Sequence, residues 1–183
     1  MTYRLRPLYQ LGGYLAALCL CLICALITAQ ILGRIVDRIA TGIGGDRIGL
    51  AIPGLSEISG FLLVGASFLG LAYTFVHGGH IRVTLLIGRL PAVPRAFVEL
   101  FCLSIALVLS LYLGWYLYWL LADSIAFNES SYGLLSIPLW IPQSAMLTGV
   151  VLLCLALAEA WLTTLVTAVT RPSSFITDDS GQE

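Results

Sequence analysis

The chain has 183 residues, of which 59% are hydrophobic and only 10% are charged, and its mean hydropathy is +0.97. A soluble domain carries about 25% charged residues, so this composition excludes an ordinary soluble protein and favours one that is solvated by a lipid bilayer. The net charge of −1 gives no general attraction to nucleic acid, which we do not expect as a partner.

Four apolar stretches are long enough to span a membrane, which requires about 20 residues. Each must form a helix, because lipid offers no hydrogen-bonding partner to an open backbone. The predicted fold is an all-α integral membrane protein with four transmembrane helices in a single membrane domain. The predicted helices cover residues 8–32, 55–76, 97–122 and 141–166, and the polar tail at 171–183 is predicted to be disordered.

The first stretch shares features with a cleaved signal peptide, because Arg4 and Arg6 precede it and small residues follow in the sequence ITAQ. The apolar region of a signal peptide is about 7–15 residues long. Here the uncharged run continues from Leu8 to Leu32. We therefore expect a retained transmembrane helix.

An amphipathic segment follows the first stretch. Arg34, Asp37 and Arg38 share one helical face, and Ile35 and Ile39 form an apolar stripe beside them. The glycine-rich sequence TGIGGD then interrupts the pattern. This pattern predicts a short interfacial helix between the first two spans, lying along the membrane surface.

The second stretch is rich in small residues. Ala66 and Gly70 form a small-xxx-small pair, which allows close packing of membrane helices. The simpler interpretation is that glycine is common in membrane helices without any packing role.

Aromatic residues gather near the end of the third stretch. Tyr112, Trp115, Tyr116 and Trp119 have the spacing of one helical face. Such rings anchor a helix at the membrane interface. Alternatively, the face packs against a partner.

Arginine placement predicts the orientation, because positive residues favour the cytoplasmic side and the chain has no lysine. One side of the membrane receives Arg4, Arg6, Arg82, Arg89, Arg95 and Arg171, and the other receives Arg34, Arg38 and Arg47. We therefore expect both termini, and the connector between the second and third helices, to be cytoplasmic.

That connector, HGGHIRVTLLIGR at residues 77–89, holds both histidines of the chain. His77 and His80 lie too close together to ligate a haem from facing helices, and zinc needs further ligands. The five cysteines lie inside apolar stretches, where thiolates are disfavoured, and are interpreted as small apolar side chains. We expect no metal, no cofactor and no catalytic residue, since neither a nucleophile motif nor a carboxylate accompanies the histidines.

Three acids flank or enter the spans. Glu57 and Glu99 lie at helix ends, where water or headgroups reach them, and Glu159 is placed deeper. An acid inside a membrane is a functional candidate. A transport pathway, however, is expected to show broken helices or repeated halves, and the sequence shows neither.

The segment from Glu57 to Pro91 resembles the small permease (DctQ-like, Q) subunit of tripartite ATP-independent periplasmic (TRAP) transporters. The resemblance rests on an acid at the start of the second helix, Glu57, an apolar span, and then the sequence GGHIRV at residues 78–83. Arg34 after the first helix also fits the family pattern. Thr84 departs from it, because an acidic residue commonly follows the valine.

The resemblance implies a non-enzymatic subunit of a sodium-coupled transporter for organic acids in the bacterial inner membrane. Its implied partners are a large permease, which carries substrate and sodium, and a periplasmic substrate-binding protein, with membrane lipids around the bundle. The small subunit would serve as a scaffold and help to dock the binding protein. The residues implied in partner or structural contacts are Arg34, Glu57, Gly79, His80 and Arg82.

The alternative is a self-contained four-helix membrane protein, such as a small channel or an assembly factor. That protein would act as a homo-oligomer, whereas a scaffold requires a large hydrophobic partner.

Overall fold

A computed structural model describes residues 5–43, 49, 53–78 and 92–170. Within these residues the chain forms four α-helices: α1 Arg6–Gly42, α2 Leu55–Val76, α3 Ala92–Ala126 and α4 Trp140–Thr170. Each contains a segment that is long and apolar enough to cross a membrane. The prediction of an all-α membrane protein with four transmembrane helices is therefore confirmed, while the predicted disordered tail at 171–183 lies outside the described residues.

The first helix is longer than the sequence pattern indicated. It continues to Gly42 rather than ending at residue 32, so the segment Arg34–Ile39 is the last part of α1 and not a separate interfacial helix. Gly33 is the only strong helix-weakening residue at the expected boundary, and one glycine costs a helix about 1 kcal/mol relative to alanine. Without a proline or a second glycine there, the helical hydrogen bonds continue.

Glycine and proline set the limits of α2. Gly54 precedes it with a left-handed φ of +69°, and Pro53 stands directly before that glycine. Gly78 follows its C-terminal end with a φ of +87°, a left-handed conformation that favours glycine. The 22 residues between these limits span about 33 Å, which matches the hydrocarbon core of a bilayer.

The helices pack side by side in the order α1, α2, α4, α3. The largest apolar cluster lies where the first three meet and consists of Tyr9, Ala72, Leu152 and Ala156, with Phe75 and Val76 against it. The fourth helix in this order, α3, packs mainly on α4. Much of its surface is therefore left to lipid or to a partner.

Close approach of α2 to its two neighbours depends on small residues. A Cβ atom on Gly149 of α4 would collide with the Phe68 carbonyl of α2, and one on Gly12 of α1 would lie 2.8 Å from the Leu69 carbonyl oxygen. In the same contact between α1 and α2, a Cβ atom on Gly70 would lie 3.5 Å from the Ala16 Cβ of α1. Gly70, one of the small residues predicted to allow close packing, therefore lies in a helix contact.

Candidate functional site

Two ends of the bundle can be distinguished by their side chains. The Glu57 end contains the C-terminal part of α1, the start of α2, the end of α3 and the start of α4. The opposite end, called here the Tyr9 end, contains the start of α1 and the last turns of α4. A hydrogen bond of 3.1 Å from Tyr9 Oη to Glu159 Oε2 shows that the first turn of α1 lies beside this part of α4.

Glu57 holds the loop between α3 and α4 against the start of α2. The Leu135 backbone N–H donates to Glu57 Oε2 at 3.4 Å, and the Gly133 backbone lies so close to the carboxylate that a Cβ there would overlap it. The side chain of Leu135 in turn covers Gly54, the residue that begins α2. Glu57 Oε1 is buried and receives no hydrogen bond from the described residues.

The same loop, Phe127–Leu139, is ordered by its own hydrogen bonds. The Leu139 N–H donates to the Glu129 carbonyl at 3.0 Å, and the Ser131 N–H donates to the Ile137 carbonyl at 2.9 Å. Ser124 Oγ, fully buried at the end of α3, donates to Glu129 Oε2 at 2.7 Å. The loop is thus joined to the end of α3 through Ser124 and to the start of α2 through Glu57, so its surface has a fixed shape.

That surface exposes large apolar side chains. Tyr132 is fully exposed, and Leu134 and Phe127 are 84% and 76% exposed. Exposed residues of this size beyond the ends of membrane helices are typical of contact surfaces.

Arg34 lies at the rim of a groove between α1 and α2. The groove has a volume of about 630 Å³ and is lined by Ile27, Gln30, Ile31, Arg34, Pro53, Gly54, Leu55, Ser56, Ser59 and Leu134. Arg34 itself is exposed, and no described acid forms an ion pair with it. Arg34 and Glu57 thus lie at the same end of the bundle, but no hydrogen bond or ion pair joins these two described residues.

The structure describes only the beginning of the connector. His77 ends α2, stacks on Tyr73 with ring centroids 4.0 Å apart, and places Nδ1 2.9 Å from the Tyr73 carbonyl oxygen. The Tyr73 ring lies directly over Gly13 of α1, where a Cβ would be 2.6 Å from the ring. The predicted contact residues Gly79, His80 and Arg82 lie outside the described residues, so their roles stay predictions.

The aromatic face of α3 is exposed along its length. Tyr112, Trp115, Tyr116 and Trp119 are between 51% and 63% exposed in the bundle. The rings contact one another, with centroids 4.8 Å apart for Tyr112 and Tyr116 and 6.1 Å apart for Trp115 and Trp119. Either a membrane interface or a partner helix can cover this face.

Sequence reasoning missed two parts of this arrangement. Tyr9 has the sequence position of an interfacial anchor, yet it is fully buried and bonded to Glu159. The attachment of the loop between α3 and α4 to Glu57 was not predicted, because a contact between Glu57 and Leu135 spans 78 positions and leaves no local signal.

The chemistry available in the bundle is that of packing and hydrogen bonding. Among the described residues, no group of three or more His, Cys, Asp or Glu side chains is placed to hold a metal ion. All five cysteines are free thiols on the helices.

Comparison with known proteins places this bundle in a family. No curated protein and no solved structure matches the chain significantly. The family described as "Tripartite ATP-independent periplasmic transporters, DctQ component" matches residues 23–167, which include all of α2 and α3, most of α4 and about half of α1. The chain therefore belongs to the DctQ family, whose members are small, non-enzymatic membrane subunits of TRAP transporters.

Proposed function

We propose that the chain is the scaffold subunit of a sodium-coupled TRAP transporter for organic acids in a bacterial inner membrane. The observation that carries this proposal is the DctQ match, which covers the last three spans completely and about half of the first. Family membership implies a large permease and a periplasmic binding protein as partners. Sodium coupling and the carboxylate substrate class come from the family resemblance.

Continuous helices support a scaffold rather than a substrate path. Transporters that carry solutes across a membrane typically place the binding site where helices are broken at mid-membrane. The four described helices run without such a break. Substrate and sodium are accordingly assigned to the large permease.

The exposed surface of the bundle supports a large membrane partner. In the most apolar segments of α1 and α3 only 6% of the residues are buried, against 28% in α4. The aromatic face of α3 offers rigid rings, which contribute large contact areas at little cost in conformational entropy. We infer that the large permease covers part of α1 or α3 and that lipid covers the remainder.

The Glu57 end is proposed to help dock the binding protein. Its loop is anchored to α2 through Glu57 and exposes Tyr132 and Leu134. A preorganised loop binds with a smaller entropic loss than a mobile one. Glu57 is therefore given a positioning role in docking. Gly79, His80 and Arg82 are proposed to contact the large permease or the rest of this subunit from the opposite end.

Reconstitution into liposomes with an inward sodium gradient tests the proposed function. The small subunit alone should accumulate no organic acid, whereas the small subunit, the large permease and the binding protein together should. Within the full set, Arg82→Lys should transport less than wild type, because lysine lacks the planar fork of donors on arginine. Uptake by the small subunit alone would favour the self-contained alternative and reject the scaffold.

Glu57→Ala tests the proposed role of the loop Phe127–Leu139 in docking, and this loop is called the docking loop below. Loss of the bond to Leu135 should destabilise the loop by about 1 kcal/mol, which corresponds to roughly fivefold faster amide exchange in residues 129–139. Uptake at limiting binding protein should fall, and saturating binding protein should restore it. Asp123→Ala is the matched control, since Asp123 is an exposed acid at the same end. Faster amide exchange in the loop with unchanged uptake would show that the loop takes no part in docking the binding protein.

A further inference from the structure

We propose that the groove between α1 and α2 at the Glu57 end is a binding site for a phospholipid, with Arg34 holding the lipid phosphate and the groove wall holding part of one acyl chain. Nothing in the family match assigns a ligand to this groove. The proposal depends on three features of the groove: its level in the membrane, the polar groups at its rim and the apolar residues along its floor.

The position of the groove relative to the membrane follows from the length of α2. Its 22 residues match the thickness of the hydrocarbon core, so its first turn marks the core boundary at the Glu57 end. Ser56 in that turn and Arg34 on α1 line the same groove. Arg34 therefore lies at headgroup level, where phosphates are the most abundant anions of a membrane.

The rim offers donors for an anion. Arg34 is exposed and has no ion-pair partner among the described residues. The start of α2 carries no side-chain cap, so its first backbone N–H groups are donors beside Ser56, and Glu57 in the same turn offsets part of their positive partial charge. Ser59 lines the groove, but its Oγ is buried and has no hydrogen-bond partner among the described residues. Because this oxygen is inaccessible from the groove, the donors that a lipid phosphate can reach are Arg34 and the first backbone N–H groups of α2.

The floor continues the groove into the hydrocarbon region. Ile31 and Ile27 lie one and two turns from Arg34, so the apolar wall descends about 10 Å along α1. Leu55 and Leu134 line the same groove from α2 and from the docking loop. A cation beside an open groove with apolar walls matches a molecule with a phosphate head and a hydrocarbon chain. The volume of about 630 Å³ is in the range of sites for single small ligands, about 300–1,000 Å³.

The test measures phospholipid retention by the purified full chain with native mass spectrometry. The protein is delipidated in detergent and then incubated in mixed micelles with phosphatidylglycerol, with phosphatidylethanolamine, or with diacylglycerol of the same chains. Both phospholipids should be retained and diacylglycerol should not, because the recognised group is the phosphate. Retention of phosphatidylglycerol alone would mean that net lipid charge, not the phosphate, is recognised, and equal retention of all three would overturn the site.

Three variants locate the binding. Arg34→Gln should lower phospholipid retention about tenfold, the factor expected when a charge-assisted hydrogen bond is lost. Arg38→Gln is the matched control, because Arg38 is an exposed arginine one turn further along α1 and does not line the groove. Ile31→Trp, which keeps the arginine and fills the apolar part of the groove, should also lower retention.

Two results would contradict the proposal. Equal retention by wild type, Arg34→Gln and Ile31→Trp would show that the lipid binds elsewhere. If Arg34→Gln reduced co-purification with the large permease and left lipid retention unchanged, the groove would be a protein contact. The Ile31→Trp variant keeps the test decisive if Arg34→Gln fails to fold.

Discussion

Tyr9 and Glu159 lie 150 positions apart in the sequence, yet their side chains meet at the start of α1 and in the last third of α4. Tyr9 is fully buried in the largest apolar cluster, where its ring packs with Ala72 and Leu152. The hydroxyl can therefore reach a polar group only within the protein. Glu159, the deepest acid of the sequence, is accordingly explained by a structural bond between α1 and α4 rather than by a solute pathway.

Tyr9→Phe should lower the stability of the bundle. The change removes one hydrogen bond to a carboxylate, worth about 1–2 kcal/mol, and keeps the ring. The thermal unfolding midpoint in detergent, followed by intrinsic fluorescence, should fall by about 4 °C. Tyr14→Phe is the matched control on the same helix, since Tyr14 is 72% exposed, and should leave the midpoint unchanged. Equal midpoints for the two variants would show that the Tyr9–Glu159 bond contributes nothing.

At the scale of the helices, stability depends on how closely backbones approach. Lipid is as apolar as leucine, so membrane helices gain little from hydrophobic burial against one another and associate mainly through close packing. Gly149 brings α4 onto the Phe68 carbonyl of α2, and Gly12 brings α1 onto the next carbonyl, that of Leu69. The second helix is therefore held on two sides through its backbone.

Gly149→Ala and Gly60→Ala separate packing from helix propensity. The first adds a methyl group where the Phe68 carbonyl already lies and should destabilise the bundle by about 2 kcal/mol. The second adds the same group to α2 where nothing lies within 4 Å, and should be neutral or stabilising by up to about 1 kcal/mol. The two variants are compared by their thermal unfolding midpoints in detergent. A neutral Gly149→Ala would mean that α2 and α4 separate at little cost.

At the scale of the whole molecule, the prediction concerns orientation. Six arginines on one side against three on the other predict that both termini are cytoplasmic. Reporter fusions after Arg171 and within residues 84–94 should both be cytoplasmic, and a fusion at Gly44 should be periplasmic. A periplasmic reporter after Arg171 would contradict this orientation, and with four spans it would place the Glu57 end on the cytoplasmic side, where it could not dock a periplasmic protein.

The sequence by itself determined that the protein lies in a lipid bilayer, how many spans it has, and that a helix, α2, occupies residues 55–76. These features depend on hydropathy and on the two glycines that flank α2, Gly54 and Gly78. Both signals are local, since each involves only residues that are close in the sequence. The motif from Glu57 to Val83 also indicated the family. The end of α1 was predicted less well, because a continuous helix and a broken one bearing Arg34, Asp37 and Arg38 have nearly the same periodicity.

Only the tertiary structure decided which side chains meet. The order α1, α2, α4, α3 brings Glu57 to Leu135 and Tyr9 to Glu159, and it places Arg34 above a groove that α2 completes. Each of these contacts joins distant positions, and a helix presents the same periodic pattern whichever neighbour it packs against. Lipid-facing and helix-facing surfaces are equally apolar, so hydropathy cannot distinguish them, and only backbone proximity at residues such as Gly149 shows where the helices touch.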